Sequence, residues 1–209
     1  PSYYANIERD RLVNEARERR KAEEKRQGLI TQGTNDVNTR FDAMFTPEFY
    51  AGRKQSLLDF YKPQINDQFS EAQEKLTYWL ADRGLLNSSV RGDKTADLQK
   101  VYDTNLRSIN DQALNLENKT KADVGRARAS LIDDVRNTAD PGYVGGAMTS
   151  QMQALAAPET YSPLADIFSG FTGALSQQAA LERAAALSGG AIRPAFNTGL
   201  FAPNSPVVS

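Results

Sequence analysis

Leu98, Ile109, Thr120 and Leu131 stand eleven residues apart. Tyr102, Asn105, Ala113, Leu116, Val124, Ala127 and Val135 fill the gaps at an unbroken spacing of three and four. Upstream, Leu58, Phe69 and Leu80 keep the same period, with Tyr61, Ile65, Ala72 and Leu76 between them. A strand alternates at two residues, so this spacing excludes sheet over the middle of the chain. Eleven residues is close to the natural pitch of a helix, so the apolar face runs nearly straight or coils gently right-handed. The expected fold class is all-α: a long antiparallel helical hairpin, with an N-terminal charged helix, a C-terminal small-residue helix and an extended C-terminal arm.

Between the two runs lies the corner Asp82-Arg83-Gly84-Leu85-Leu86-Asn87-Ser88-Ser89. Gly84 can take the left-handed conformation that closes a helix. Asn87, Ser88 or Ser89 can then accept from the free amides of the next helix. Leu85 and Leu86 are expected to plug the end of the pair. The body is therefore read as 35–140 with its corner at 82–89.

The apolar seam of that body is thin, and Asn105 and Thr120 sit inside it. A two-helix rod of this kind buries little apolar surface by itself. Leu58, Ile65, Phe69, Leu76, Leu80, Leu98, Tyr102, Ile109, Leu116 and Leu131 are thus expected to form a self-assembly seam, making the chain a homo-oligomer.

Composition narrows the chemistry. The 209 residues contain no cysteine and no histidine, and the net charge is −1. Disulfides and thiolate chemistry are excluded. So are the commonest general base, metal ligand and pH switch. A near-neutral chain is not a bulk DNA coat, so any such role rests on local patches. The start at Pro1 reads as a chain after methionine removal with no signal peptide, which implies cytosolic synthesis.

Residues 1–34 read as a charged N-terminal helix ended by Gly28 and Gly33. From Glu8 to Arg26, Lys/Arg and Asp/Glu recur at i,i+4, and only Ile7, Leu12, Val13 and Ala16 give the helix a greasy side. This is a solvated helix of mixed charge. The sharper alternative gives Arg17, Arg19, Arg20 and Lys21 contacts with DNA or an acidic partner.

Thr46-Pro47-Glu48 is a helix start: a cap, a proline in the first turn and an acid at the positive end. Phe49, Tyr50, Leu57, Leu58, Phe60 and Tyr61 crowd behind it, read as a packed helix joint rather than a ligand pocket. Pro63 is expected to kink or restart the helix. Asp140-Pro141-Gly142 with Gly145-Gly146 reads as a break, and 141–161 as a flexible linker. Ser162-Pro163 is read as the cap of an apolar small-residue helix at 162–188. There Leu164, Ile167, Phe168, Phe171 and Leu175 face a partner helix or a membrane. Its uncharged stretch, Ile167 to Leu181, falls short of the roughly 20 residues a membrane span needs. Residues 189–209 carry Pro194, Pro203 and Pro206 among hydrophobic residues. They read as an extended docking arm through Phe196, Leu200 and Phe201, with a disordered tail as the alternative.

No phosphate-binding glycine loop, nucleotide fingerprint or paired-carboxylate site is present at a meaningful spacing. Asp133 and Asp134 are adjacent and do not face one another on a helix. Ser88 and Ser89 lack a base to activate them. No catalytic, cofactor-binding or metal residue is assigned; the expected cofactor is none, and the chain is not expected to be an enzyme. A carboxylate-only hydrolase is the residual enzymatic reading.

Two stretches carry a resemblance. The corner "LADRGLLNSS" in a long polar helical body, and "SPLADIFSGFTGALSQQAA" after it, resemble the small internal virion (DNA-ejection) proteins of short-tailed bacteriophages, or related tail and head–tail structural proteins. The resemblance covers residues 76–90 and 162–180. It implies a multi-copy helical assembly that takes part in genome ejection and is located in the virion, with the host cell envelope as a second location after ejection. The implied partners are portal, adaptor or tail proteins. Genomic DNA and host membrane are further candidates, and no small-molecule substrate is implied. A longer charged front helix and the proline-rich tail depart from that family, which leaves open a non-ejected component of the head–tail junction or tail. A cellular coiled-coil scaffold is the reading outside the virus.

Overall fold

A computed structural model describes residues 3–187; the docking arm at 189–209, with Phe196, Leu200 and Phe201, lies outside the described residues. The chain is all-α. Its helices are α1 (Tyr3–Met44), α2 (Pro47–Asp82), α3 (Ser89–Thr138), α4 (Pro141–Ala156) and α5 (Ser169–Leu187), and no strand occurs among the described residues.

The Thr46 start forms as its sequence dictates. The Phe49 amide donates to the Thr46 hydroxyl at 3.4 Å, and Pro47 opens α2. At the other end Gly84 takes φ +66°. The Leu85 amide reaches back to the Leu80 carbonyl at 2.9 Å, and the Gly84 amide to Ala81 at 3.0 Å. These are the two bonds of a Schellman closure, and buried Leu85 and Leu80 supply its hydrophobic contact.

Several boundaries differ from the sequence reading. α1 does not end at Gly28 or Gly33; it runs on to Met44, because buried Gly33 lies against α3, where packing outweighs its poor propensity. Pro63 lies inside α2 without restarting it. There the Gln64 side-chain amide donates to the Phe60 carbonyl at 2.8 Å, adding a donor to the turn that the proline deprives. Residues 141–156 are helix rather than flexible linker. The Asp140 carboxylate accepts from the Gly142 and Tyr143 amides at 3.0 and 3.1 Å, so Asp140-Pro141 is a cap followed by a first-turn proline. The last helix begins at Ser169, not at Leu164. Ser88 does not cap α3 with its hydroxyl, which instead donates to the Leu85 carbonyl at 2.7 Å. Leu86 is no plug; it is 37% exposed beside buried Leu85.

The chain divides into two units. Unit 1 comprises residues up to Lys54 with Leu114–Thr160. Its core is built from Val37, Phe41 and Phe45 of α1, Val124, Leu131 and Val135 of α3, and Val144 and Met148 of α4. Phe41, Phe45, Phe49 and Tyr50 form a run of ring contacts with centroids 5.1–5.5 Å apart.

Unit 2 comprises Gln55–Ala113 with the chain from Tyr161 onward. Ala72, Leu76 and Leu80 of α2, Leu85, and Leu98 of α3 enclose Phe168 and Leu175. Phe60 and Tyr61 pack against Tyr161. The aromatic crowd is therefore packed, but it is shared between two cores.

These contacts change the meaning of the seam. Leu58, Ile65, Leu76, Leu80, Leu98, Ile109 and Leu131 are buried within one chain, and Phe69, Tyr102 and Leu116 are half-buried. They are not an open surface awaiting another copy, because α1 and α4 in unit 1, and 161–187 in unit 2, supply cover that a bare two-helix body lacks. The polar seam residues bond back along their own helix: Asn105 donates to the Val101 carbonyl and Thr120 to Leu116, both at 2.8 Å.

Candidate functional site

Three features stand out as sites. The first, in unit 2, is a clasp that holds 161–187 on α2. Gln64 and Gln68 lie one turn apart on α2, and their side-chain oxygens accept from the Leu164 and Ile167 amides, each at 2.9 Å. The Gln68 amide returns a bond to the Ala165 carbonyl at 3.2 Å. With its backbone bonded from the side, 161–166 joins no helix. Asp166 then accepts from the Phe168 amide at 3.0 Å just ahead of α5.

Further along α5 the Trp79 indole donates to the Leu175 carbonyl at 3.0 Å. Arg83 stacks over Trp79 at 4.5 Å and lies 3.8 Å from the Glu182 carboxylate. Leu164 and Ile167 are therefore backbone-anchored, Phe168 and Leu175 are buried, and Phe171 is half-buried. The apolar face of this segment is engaged inside the chain. Among the described residues no helix is long and apolar enough to cross a membrane.

The second feature, in unit 1, is the end of α4. The buried Arg53 guanidinium donates to the Leu155 and Ala157 carbonyls, both at 2.6 Å, and pairs with Glu159 at 3.0 Å. It neutralises the negative end of the helix and satisfies its free carbonyls. Also in unit 1, an open groove of about 530 Å³ is lined by Arg40, Ala43 and Met44 of α1 and Thr149, Met152 and Gln153 of α4. Nearby, Lys121 donates to Glu117 at 2.6 Å and holds its carboxyl below the usual range, against a weaker opposing effect of burial. Burial pushes the Tyr50 phenol up, opposed by Lys121 and Arg128.

The third is the front of α1. Every residue from Asn6 through Gly28 is exposed, including Arg17, Arg19, Arg20 and Lys21. Ile7, Leu12 and Val13 are about half exposed, at 49%, 53% and 50%.

No group of acids able to hold a metal ion occurs among the described residues. Asp133 is exposed and Asp134 half-buried on α3, and Ser88 serves the corner. The sequence reading missed Arg53, the glutamine clasp and the α1–α4 groove. Asp140-Pro141 was the available signal for α4 and hence for Arg53 and the groove. The glutamines gave none, because their partners lie about a hundred residues away. No family profile, no curated protein and no solved structure matches this chain.

Proposed function

We propose that the chain is a non-catalytic, multi-copy helical protein of a short-tailed phage particle that takes part in genome ejection. In this reading α2 and α3 form a long antiparallel hairpin as the body, and the exposed front of α1 reaches neighbouring molecules. The observation that carries the proposal is that front: a helical stretch without a buried residue from Asn6 to Gly28, whereas the described helices beyond it contribute to the two cores. Held by its own backbone and by charge pairs such as Arg11–Glu15 and Lys21–Glu18, this stretch leaves its whole surface for a partner. The corner and the small-residue segment of the phage-like resemblance support the same reading, as does a chain without histidine or cysteine.

A retained component of the head–tail junction or tail is the second reading. The buried Phe168 and Leu175 favour it, since the segment that would meet a membrane is already packed on α2 and α3. Portal, adaptor or tail proteins are the proposed partners, with genomic DNA at Arg17, Arg19, Arg20 and Lys21. Quantifying the protein in intact and DNA-emptied particles separates the readings. An ejected protein disappears from emptied particles and a retained one persists. Absence from both ends the virion proposal.

A further inference from the structure

The two parts of α1 have different surroundings within unit 1. From Ile30 onward its inner face, with Gly33, Val37 and Phe41, packs on α3 and α4. Near the end of α3, Arg26 Nη2 donates to the Arg136 carbonyl at 3.0 Å. Counting back from Ile30 at helical spacing, the same face continues through Arg26, Glu23, Arg19, Ala16, Leu12 and Arg9, now entirely exposed. The stripe thus outruns the partner that covers its other end.

We infer that residues 9–23 of α1 are where two copies of the chain pair, antiparallel about a two-fold axis at Ala16. The charge order along the face selects the occupant and its direction. A parallel pair sets Arg9 on the partner's Arg9, Arg19 on the partner's Arg19 and Glu23 on the partner's Glu23, all like-charged. An antiparallel pair crossing at Ala16 sets Arg9 on the partner's Glu23, and on the flank Glu15 lies beside the partner's Arg19. The two-fold axis makes each contact twice. Ala16, the smallest residue of the face, lets the two backbones approach where they cross. Leu12 and Val13 lie against the arginine stems on either side. Electrostatic complementarity of this kind fixes register more than it adds affinity, so the pair is weak in isolation and suited to a larger assembly. The pairing deepens the multi-copy reading, but its test uses the purified 209-residue chain and does not depend on finding the protein in a particle.

The chain contains no cysteine, so single cysteines report contacts without background. Under mild oxidation, Ala16→Cys gives a disulfide dimer and Glu23→Cys does not. In this register the two copies of residue 23 lie roughly 20 Å apart along the axis, against a disulfide reach of about 7 Å between Cα atoms. Arg9→Glu or Glu23→Arg in the Ala16→Cys background cuts the dimer yield on the order of tenfold, and combining the two reversals restores it. An Ala16→Cys chain that stays monomeric overturns the inference, including one that binds duplex DNA or lipid vesicles through this stretch instead. Equal yields from Ala16→Cys and Glu23→Cys, or no recovery in the double reversal, overturn it too.

Discussion

The Arg83 guanidinium lies 3.8 Å from the Glu182 carboxylate, and the two side chains are almost wholly buried beside the α2–α3 corner. Arg83 Nη1 donates to the Trp79 carbonyl at 3.1 Å, whereas Nε has no hydrogen-bond partner. Glu182 also accepts from Gln178 at 2.9 Å. The pair locks α5 to the corner, with a desolvation cost that its geometry offsets only in part. Glu182→Ala leaves the buried guanidinium with Asp82, 3.7 Å away, as its remaining carboxylate and is expected to destabilise the chain by about 1–3 kcal/mol. Arg83→Met combined with Glu182→Leu is expected to recover most of that loss. Trp79, the sole tryptophan, touches both Arg83 and Leu175, so fluorescence-detected denaturant unfolding reads the lock directly. A double variant as weak as the single one would argue against this assignment.

Gly33 of α1 lies directly against Val135 of α3. A methyl at Gly33 would fall 2.8 Å from Val135 Cγ1, and Val135 is fully buried and stiff at its β-branch. Gly33→Ala gains about 1 kcal/mol of helix propensity and meets an overpacking cost of roughly 1–3 kcal/mol. A net loss is expected, and it should reverse in sign when Val135→Ala removes the clash. Thermal melts of the two single variants and the double variant form the cycle that checks it. Gly28, with open space around it, should accept alanine with a small gain.

Acid stability follows from two lowered carboxylates. Glu117 is lowered chiefly by the Lys121 hydrogen bond, and Glu48 by its own amide and then by the Thr46 hydroxyl. A folded pKa below the unfolded one favours the folded state above the ordinary glutamate value of 4.5, and that advantage is lost as pH falls through the lowered folded value. With no histidine in the chain, Tm should be level from about pH 6 to 8 and decline below about 4.5. Lys121→Met should flatten part of the decline. A Tm that rises on acidification would be inconsistent with both assignments.

The helical class, the Gly84 closure and the Thr46 start were legible because each depends on residues within one turn of itself. The eleven-residue repeat was legible too, but its consequence was not. Spacing marks a face as apolar without naming what covers it, and here α1, α4 and 161–187 do so. Gly33 reads as a breaker in isolation and acts as a packing site once Val135 lies against it. Asp140-Pro141 has the same letters whether it ends α3 or caps α4; the decision lies with Val144 and Met148, which complete the unit 1 core. The start of α5 was displaced by Gln64 and Gln68, whose side chains satisfy a backbone distant in sequence.

The proposed function rests on one division of labour: the repeat-bearing helices find their cover within the chain, and the exposed front of α1 is the surface proposed for neighbours. Amide hydrogen exchange, compared between the dilute chain and its concentrated or particle-bound form, tests this most directly. The expected result is strong protection around Leu76, Leu98 and Leu131 already in the dilute chain, and new protection on assembly confined to residues 6–28. Protection that appears around Leu76, Leu98 and Leu131 only on assembly, with the front of α1 unchanged, would contradict it.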